Sequence, residues 1–384
     1  MTKKIYIIAG EASGDLLGAS LIKQLKKQFK SDIAINGIGG KEMIASGLKP
    51  LFPMNEISLY GFFEIIRHIP RLLQLLTITS NNIIAQQPDL VITIDSPGFC
   101  FRVAKKIRKL APHIKLMHYV APSVWAYNPG RAQKLANQYD YLLTLLPFEP
   151  PYFEKYNLKT FHVGHALFEQ KFPGYAVKFR QKHKIAKSHK LLAITAGSRD
   201  VEIQRHMPIF KEVMLKLKDK YGKINFFIPV ISKRQQYLIT EILDDTDLTI
   251  IFTEDKQQKL DGFSAANACL AKSGTNTLEI SACNTAMIVA YKLNILSWWL
   301  IKLALKIDYA SLVNIAANQE IIPEYIQHEC NTDNLFYGIC QILDDTKLAQ
   351  QQVKSAHQIL QDFGLDDKEK PSARAAKIIK NILG

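Results

Sequence analysis

Glu11 lies in the stretch IIAGEASGDLLGAS, residues 7–20, where a buried apolar run gives way through a glycine turn to a helix. Open α/β sheets place ligands at such turns, and glycine there usually lets backbone N–H groups approach a pyrophosphate. Here the two glycines, Gly10 and Gly14, are four apart, so the GxGxxG dinucleotide fingerprint is absent and a carboxylate stands in the phosphate position. Gly10, Glu11 and Ser13 therefore suit a hydroxyl-bearing partner better than a phosphate. Asp15 reads as an N-cap or first-turn acid of the following helix.

A second carboxylate, Asp95, ends the apolar run VITIDSPGF. At a strand's carboxyl end it is a candidate general base, with a turn aspartate capping the next helix as the alternative. HYVAPSVWAYNPGR places Ser123, Trp125 and Tyr127 in the next strand-end loop, as a wall for a sugar or a lid on the core. His165 in GHALFE is a ligand contact or a hinge residue. Further along, ITAGSRDVEI sets Gly197, Ser198 and Arg199 before a helix, where amides, a hydroxyl and a guanidinium make a diphosphate clamp. KSGTNTLE repeats the device with Ser273, Gly274 and Thr275; Glu279 then serves a ribose or closes a capping box with Thr275 or Asn276 as cap.

These residues need strand ends to hold them. Strand-like and helical stretches alternate from KIYIIAG to KTFHVGH, weaken over 166–189 around the basic stretch KFRQKHKIAKSHK, and resume at KLLAITAGSRD. The expected fold is α/β, with two domains of parallel, doubly wound sheet whose strand ends face an interdomain cleft. The expected division is 1–167, a linker region 168–189, 190–365, and a C-terminal helix 366–384 packing on the first domain or on a partner.

The 384 residues are 47% hydrophobic and 22% charged, which excludes a disordered chain. Five cysteines without CxxC or metal-ligand spacing point to a reduced, cytoplasmic setting. There is no HExxH, so no metal is expected. MTKKIYIIAG has no signal-peptide pattern, and LNILSWWLIKLAL at 293–305 is too short to span a bilayer. A net charge of +14 implies an anionic partner, and no zinc-finger, RNP or heptad pattern points to nucleic acid. ISLYGFFEIIRHIPRLLQLLTI, 57–78, interleaves Arg67, His68 and Arg71 with apolar residues, as in a segment that dips into lipid, with a core helix as the alternative. Trp298 and Trp299 offer a second lipid contact, a buried helix or a dimer interface.

In this order AGEASGD, ITIDSPGF, HYVAPSVWAY, LLPFE, GH, AGSR and SGTNTLE, spread over nearly the whole chain, resemble the lipid-A-disaccharide synthase family. The resemblance implies a metal-independent, inverting GT-B glycosyltransferase, peripheral to the cytoplasmic face of the bacterial inner membrane with its anionic lipids. It would join UDP-2,3-diacylglucosamine to 2,3-diacylglucosamine 1-phosphate (lipid X), releasing UDP and the β-1,6 disaccharide 1-phosphate. The family's essential acid falls on Asp95, its GEASGD glutamate on Glu11, its phosphate-binding pair on Ser198 and Arg199, its ribose-region glutamate on Glu279 and an activity-linked asparagine on Asn314. Two positions depart: Thr195-Ala196 replaces Leu-Pro before Gly-Ser-Arg, and Val313 replaces a proline before Asn314. The resemblance also admits a homodimer formed by exchange of C-terminal segments. A UDP-sugar epimerase of related fold, or a non-catalytic binder of anionic lipid, is the competing expectation.

Overall fold

The computed structural model describes residues 2–30, 32–58, 62–294, 298, 302 and 305–384, with the backbone alone for 62–68. It divides into two compact units, Met1–Glu169 with Asp366–Gly384, and Gln170–Leu365.

In the first unit, β1 (Lys3–Ala9), β2 (Ile33–Ile38), β3 (Lys49–Pro50), β4 (Leu90–Ile94), β5 (Leu116–Tyr119), β6 (Tyr141–Thr144) and β7 (Lys159–His162) pair in parallel, in the order β3-β2-β1-β4-β5-β6-β7. Among the helices that cover it are α1 (Ala12–Phe29), α2 (Lys41–Ala45), α3 (Phe62–Gln86), α4 (Pro97–Leu110), α5 (Gly130–Ala136) and α6 (Pro151–Glu154). Continuous apolar runs such as Ile5–Ala9 suit strands buried on both faces. Alternation sends Tyr6 and Ile8 to a core with Leu75, Ile83, Phe99 and Val103, and Ile5, Ile7 and Ala9 to a core with Leu17, Leu21 and Leu25. The C-terminal helix Pro371–Leu383 packs on α1 of its own chain, adding Ala375 and Ile379 to the second core. Ser372 Oγ donates to Glu169 Oε2 (2.8 Å) and Lys3 Nζ to the Leu383 carbonyl (2.6 Å), tying both ends of this helix down.

The second unit has β8 (Lys190–Thr195), β9 (Ile224–Pro229), β10 (Ile250–Thr253), β11 (Ala268–Lys272), β12 (Met287–Tyr291) and β13 (Glu324–Ile326), all parallel, in the order β10-β9-β8-β11-β12-β13. Leu192, Ile194, Phe210, Phe226, Leu270 and Ile288 anchor its core. Its helices include α7 (Ala176–Lys182), α8 (Asp200–Tyr221), α9 (Lys233–Leu243), α10 (Lys256–Ala265) and α11 (Asn276–Ala282). The basic stretch expected as linker contains α7, whose Phe179 is buried edge-on to Phe227 at 5.1 Å, and Arg180 donates to the Ala265 carbonyl (2.9 Å). One phenylalanine within a polar run is enough to dock that turn of helix.

Among the described residues, no helix is long and apolar enough to cross a membrane. In α3, Ile69, Leu73 and Ile78 are exposed at near-helical spacing, and Arg71 pairs with Glu56. The side chains of Arg67 and His68, and Trp299 altogether, lie outside the described residues.

Gly10 joins β1 to α1 where the turn after β4 passes closest, and a Cβ there would stand 2.2 Å from Ser96 Oγ and 3.0 Å from Ser96 Cβ. Gly10→Ala is therefore expected to cost about 1–3 kcal/mol of folding stability by overpacking, measured by denaturant titration. A variant as stable as the parent would show that this approach has slack.

Candidate functional site

In the first sheet the strand order reverses between β1 and β4, which pair with Ala9 opposite Ile94. Crossovers on the two sides of such a point leave on opposite faces, so a crevice opens beyond the strand ends. Gly10-Glu11 and Asp95-Ser96 are the residues that follow the two strands. Asp95 (φ 50°) and Ser96 (φ 48°, ψ 54°) are both left-handed, and so is Val120 (φ 82°) beyond β5. Non-glycine residues held there cost roughly 1–3 kcal/mol each and gather at functional sites. The Asp95 amide donates to the Tyr119 carbonyl (3.0 Å), which ties the strained turn to β5. Glu11 begins α1 in extended conformation and makes no capping bond; it is exposed, as is Ser13. Partial burial, and then the charge of Asp95, raise the Glu11 pKa above the usual carboxylate value.

Asp15 caps a different helix from the one it belongs to. Its buried carboxylate accepts from the amides of Gly40 (2.8 Å), Glu42 (3.1 Å) and Met43 (3.0 Å), closing the start of α2.

Behind Asp95 stands a buried polar chain. His118 Nδ1 lies 2.7 Å from Thr93 Oγ1, which lies 2.9 Å from the Tyr139 hydroxyl. Burial pushes the His118 pKa down to about 3, so the ring is neutral. A cavity of 210 Å³ opens over this chain, lined by Asp95, His118, Ser123, Tyr127 and Arg131 among others. A larger one, 580 Å³, is lined by Glu11, Ser96 and Arg102 and by the apolar side chains of Ile57, Ile69, Leu72, Leu73, Leu76 and Phe99. Pro97 borders both, so a polar and an apolar cavity meet at the Asp95–Ser96 turn.

Trp125, expected as sugar wall or core lid, is half-buried and edge-on to Phe148 at 5.4 Å. Its indole N–H donates to Glu149 Oε1 (3.2 Å), while Glu149 Oε2 accepts the amides of Leu145 (3.2 Å) and Leu146 (3.1 Å). His165 Nδ1 accepts the Leu167 amide (3.2 Å), and burial pushes its pKa down to about 4, so it too is neutral.

The second sheet reverses between β8 and β11, which pair with Thr195 opposite Ala271. Gly197-Ser198-Arg199 and Ser273-Gly274-Thr275 follow these two strands. Gly197 sits at φ 127°, and a Cβ there would lie 2.6 Å from that of Glu202. The amides of Ser198 (2.9 Å) and Arg199 (3.4 Å), expected to face phosphate, donate to Glu202 Oε2. Glu202 Oε1 in turn accepts Lys272 Nζ (3.0 Å), and hydrogen bonds from Lys272 and the two amides hold its pKa below the usual range against the opposing effect of burial. The Arg199 guanidinium, with its side chain 82% exposed, is 3.6 Å from the same carboxylate. Ser273 Oγ donates to the Ala310 carbonyl (3.0 Å). Thr275 is the N-cap residue of α11 without a side-chain cap bond, and Glu279 closes no capping box: both its oxygens accept from Lys259 (2.8 and 2.7 Å). Thr195, the first of the two positions that depart from the expected Leu-Pro, is buried.

Asn314 is fully buried. Its Nδ2 donates to the Ile322 carbonyl (2.7 Å) and Glu324 Oε1 (2.8 Å), and its Oδ1 accepts the amides of Ile321 and Ile322 (both 2.9 Å). Such a clasp orders the loop before β13. Among the described residues, no three His, Cys, Asp or Glu side chains cluster as metal ligands.

Four partners of the site went unread in the sequence: His118, Glu149, Glu202 and Lys272. His118, Glu202 and Lys272 lie within stretches that carry other candidate residues, and each of the four acts through a neighbour distant enough along the chain, or folded back within a turn, that spacing alone does not reveal it.

Two doubly wound parallel units, each with a switch point, define the GT-B fold class. The chain shares its fold with an S. aureus MnaA–UDP co-structure (TM-score 0.63, 15% identity, 99% of this chain and 95% of that one) and with CalG4, the calicheamicin glycosyltransferase (TM-score 0.61, 12% identity, 100% and 99%). The sequence model of the lipid-A-disaccharide synthetase family matches residues 5–379, and the chain belongs to that family. Lipid-A-disaccharide synthases of Rickettsia bellii (strain OSU 85-389) and Rickettsia prowazekii (strain Madrid E) are 44% and 43% identical over 380 and 379 residues, covering 98% of this chain and 98% and 99% of theirs. The protein is thus an enzyme, a glycosyltransferase of lipid A biosynthesis.

Burial pushes the Glu149 carboxyl up to about 7. Its protonated form favours the fold, so that contribution is complete below the unfolded value and is lost as pH rises through about 7. Between about pH 5 and about pH 8, the stability of Glu149→Gln relative to the parent should shift in the variant's favour by about 1–3 kcal/mol. A difference independent of pH, by thermal or denaturant unfolding, contradicts the assignment.

Proposed function

We propose that this enzyme joins UDP-2,3-diacylglucosamine to 2,3-diacylglucosamine 1-phosphate, with inversion at the anomeric carbon, and releases UDP. The observation that carries the reading is the Asp95 turn: a strained carboxylate at a switch point, bordered by one polar and one apolar cavity. An acylated sugar acceptor needs that combination, and an enzyme acting on a UDP-sugar alone, such as an epimerase, does not.

Asp95 takes the proton of the acceptor's 6-hydroxyl as its oxygen bonds to the donor's C1, and the C1–O bond to diphosphate breaks. Glu11, beside it, holds acceptor polar groups with Gly10 and Ser13. In the second unit the diphosphate meets Arg199, Lys272 and the amides of Ser198 and Arg199; Glu202 holds these donors before nucleotide arrives, so binding exchanges one anion for another. Glu279, oriented by Lys259, accepts from the ribose, with Ser273, Gly274 and Thr275 beside it. Asn314 acts at one remove, by fixing the loop whose Ala310 carbonyl accepts from Ser273. No metal takes part, and positioned donors supply the electrostatic stabilisation, about 3 kcal/mol apiece.

The exposed Ile69, Leu73 and Ile78 of α3 and the +14 charge fit a protein that sits on anionic lipid at the cytoplasmic face of the inner membrane and draws acylated substrates from it.

Asp95→Asn should lower transfer by about 10²–10⁴-fold while UDP affinity stays near that of the parent, whereas Arg199→Ala should weaken UDP binding together with turnover. Disaccharide formation in EDTA and calorimetry with UDP measure both. Loss of UDP affinity in the first variant, or its retention in the second, contradicts the roles given.

A further inference from the structure

We infer that Arg131 recognises the phosphate of the acceptor, making the 210 Å³ cavity the site for a phosphorylated sugar headgroup. This rests on the acceptor proposed above and assigns its recognition to a residue outside the reaction chemistry. The cavity falls below the roughly 300 Å³ at which drug-sized sites begin, so it takes a headgroup and leaves the acyl chains to the adjoining apolar cavity.

The charged side chains on its wall are Asp95 and Arg131. They form no ion pair with each other, and among the described residues no carboxylate pairs with Arg131. Its guanidinium donates to the Tyr127 hydroxyl (2.9 Å) and stands 5.6 Å from the centre of that ring. Tyrosine thus orients the fork without neutralising it, and the remaining donors suit a phosphate. The other titratable group on the wall, His118, is neutral and buried and adds no competing charge. In a pyranose the 6-hydroxymethyl and the 1-phosphate flank the ring oxygen, so one ring presents a hydroxyl to Asp95 and an anion to Arg131. A cation lining the same cavity as the base also sets register: it favours the 6-hydroxyl over the others as the one that meets the base.

The test compares 2,3-diacylglucosamine 1-phosphate with 2,3-diacylglucosamine as acceptors for the parent, Arg131→Ala and Arg131→Lys. The ratio of kcat/KM for the phosphorylated over the unphosphorylated acceptor should fall about 30-fold in the alanine variant and recover in part in the lysine variant. Equal losses on both acceptors, or none, overturn the inference. Binding of glucosamine 1-phosphate, followed by NMR without turnover, separates the two levels of the proposal. If the parent makes no disaccharide but binds this headgroup and Arg131→Ala does not, the acceptor reaction fails and the Arg131 site stands. If the parent does not bind it, the Arg131 site falls.

Discussion

Neighbouring parallel strands whose crossovers depart to opposite faces leave their carboxyl ends uncovered, and this protein has that arrangement at β1/β4 and again at β8/β11. Because the pairing fixes Ala9 opposite Ile94 and Thr195 opposite Ala271, the residues that follow are brought together by backbone hydrogen bonds before any side chain is chosen. Glu11 and Asp95 meet at the first point, and the Gly197 and Gly274 turns at the second. The sheets supply position, and the turn residues supply chemistry.

Holding carboxylates and cations at such points requires support from below. The consecutive left-handed residues Asp95 and Ser96 are fastened by the Tyr119 carbonyl and by close packing on Gly10, and the wall beyond them is stiffened by the neutral His118–Thr93–Tyr139 chain. In the second unit Glu202 satisfies amides that otherwise begin α8 without partners, and Lys272 balances its charge. In the proposed reaction diphosphate would take over these donors from Glu202, so that the same amides are satisfied before and after it binds. Glu149 does the equivalent for the amides of Leu145 and Leu146 after β6, and its other oxygen holds the Trp125 indole.

The βα rhythm, the two-unit organisation, the strand-end positions of Glu11, Asp95, Ser198 and Arg199 and the place of Glu279 on the helix after β11 were legible in the sequence, because apolar runs and glycine turns are local signals. The partners of those residues were not. Asp15 looks like a cap for α1 and instead caps α2, 25 residues on; Glu279 has capping-box spacing but pairs with Lys259 on the preceding helix. His118 and Thr93 read as strand residues, and their pairing depends on β4 and β5 lying side by side, which sheet order alone decides. Phe179 hides a packed helix within a basic stretch that composition marks as linker.

The proposed reaction divides by unit, with nucleotide at the β8/β11 turns and acceptor at the β1/β4 turns. Amide hydrogen exchange on the intact protein, with UDP alone and with the acceptor alone, tests this directly. UDP should slow exchange over 197–202 and 273–279 and leave 10–15 and 95–102 unchanged, while the acceptor should do the reverse. Protection of the Glu11 and Asp95 turns by UDP alone would contradict the division.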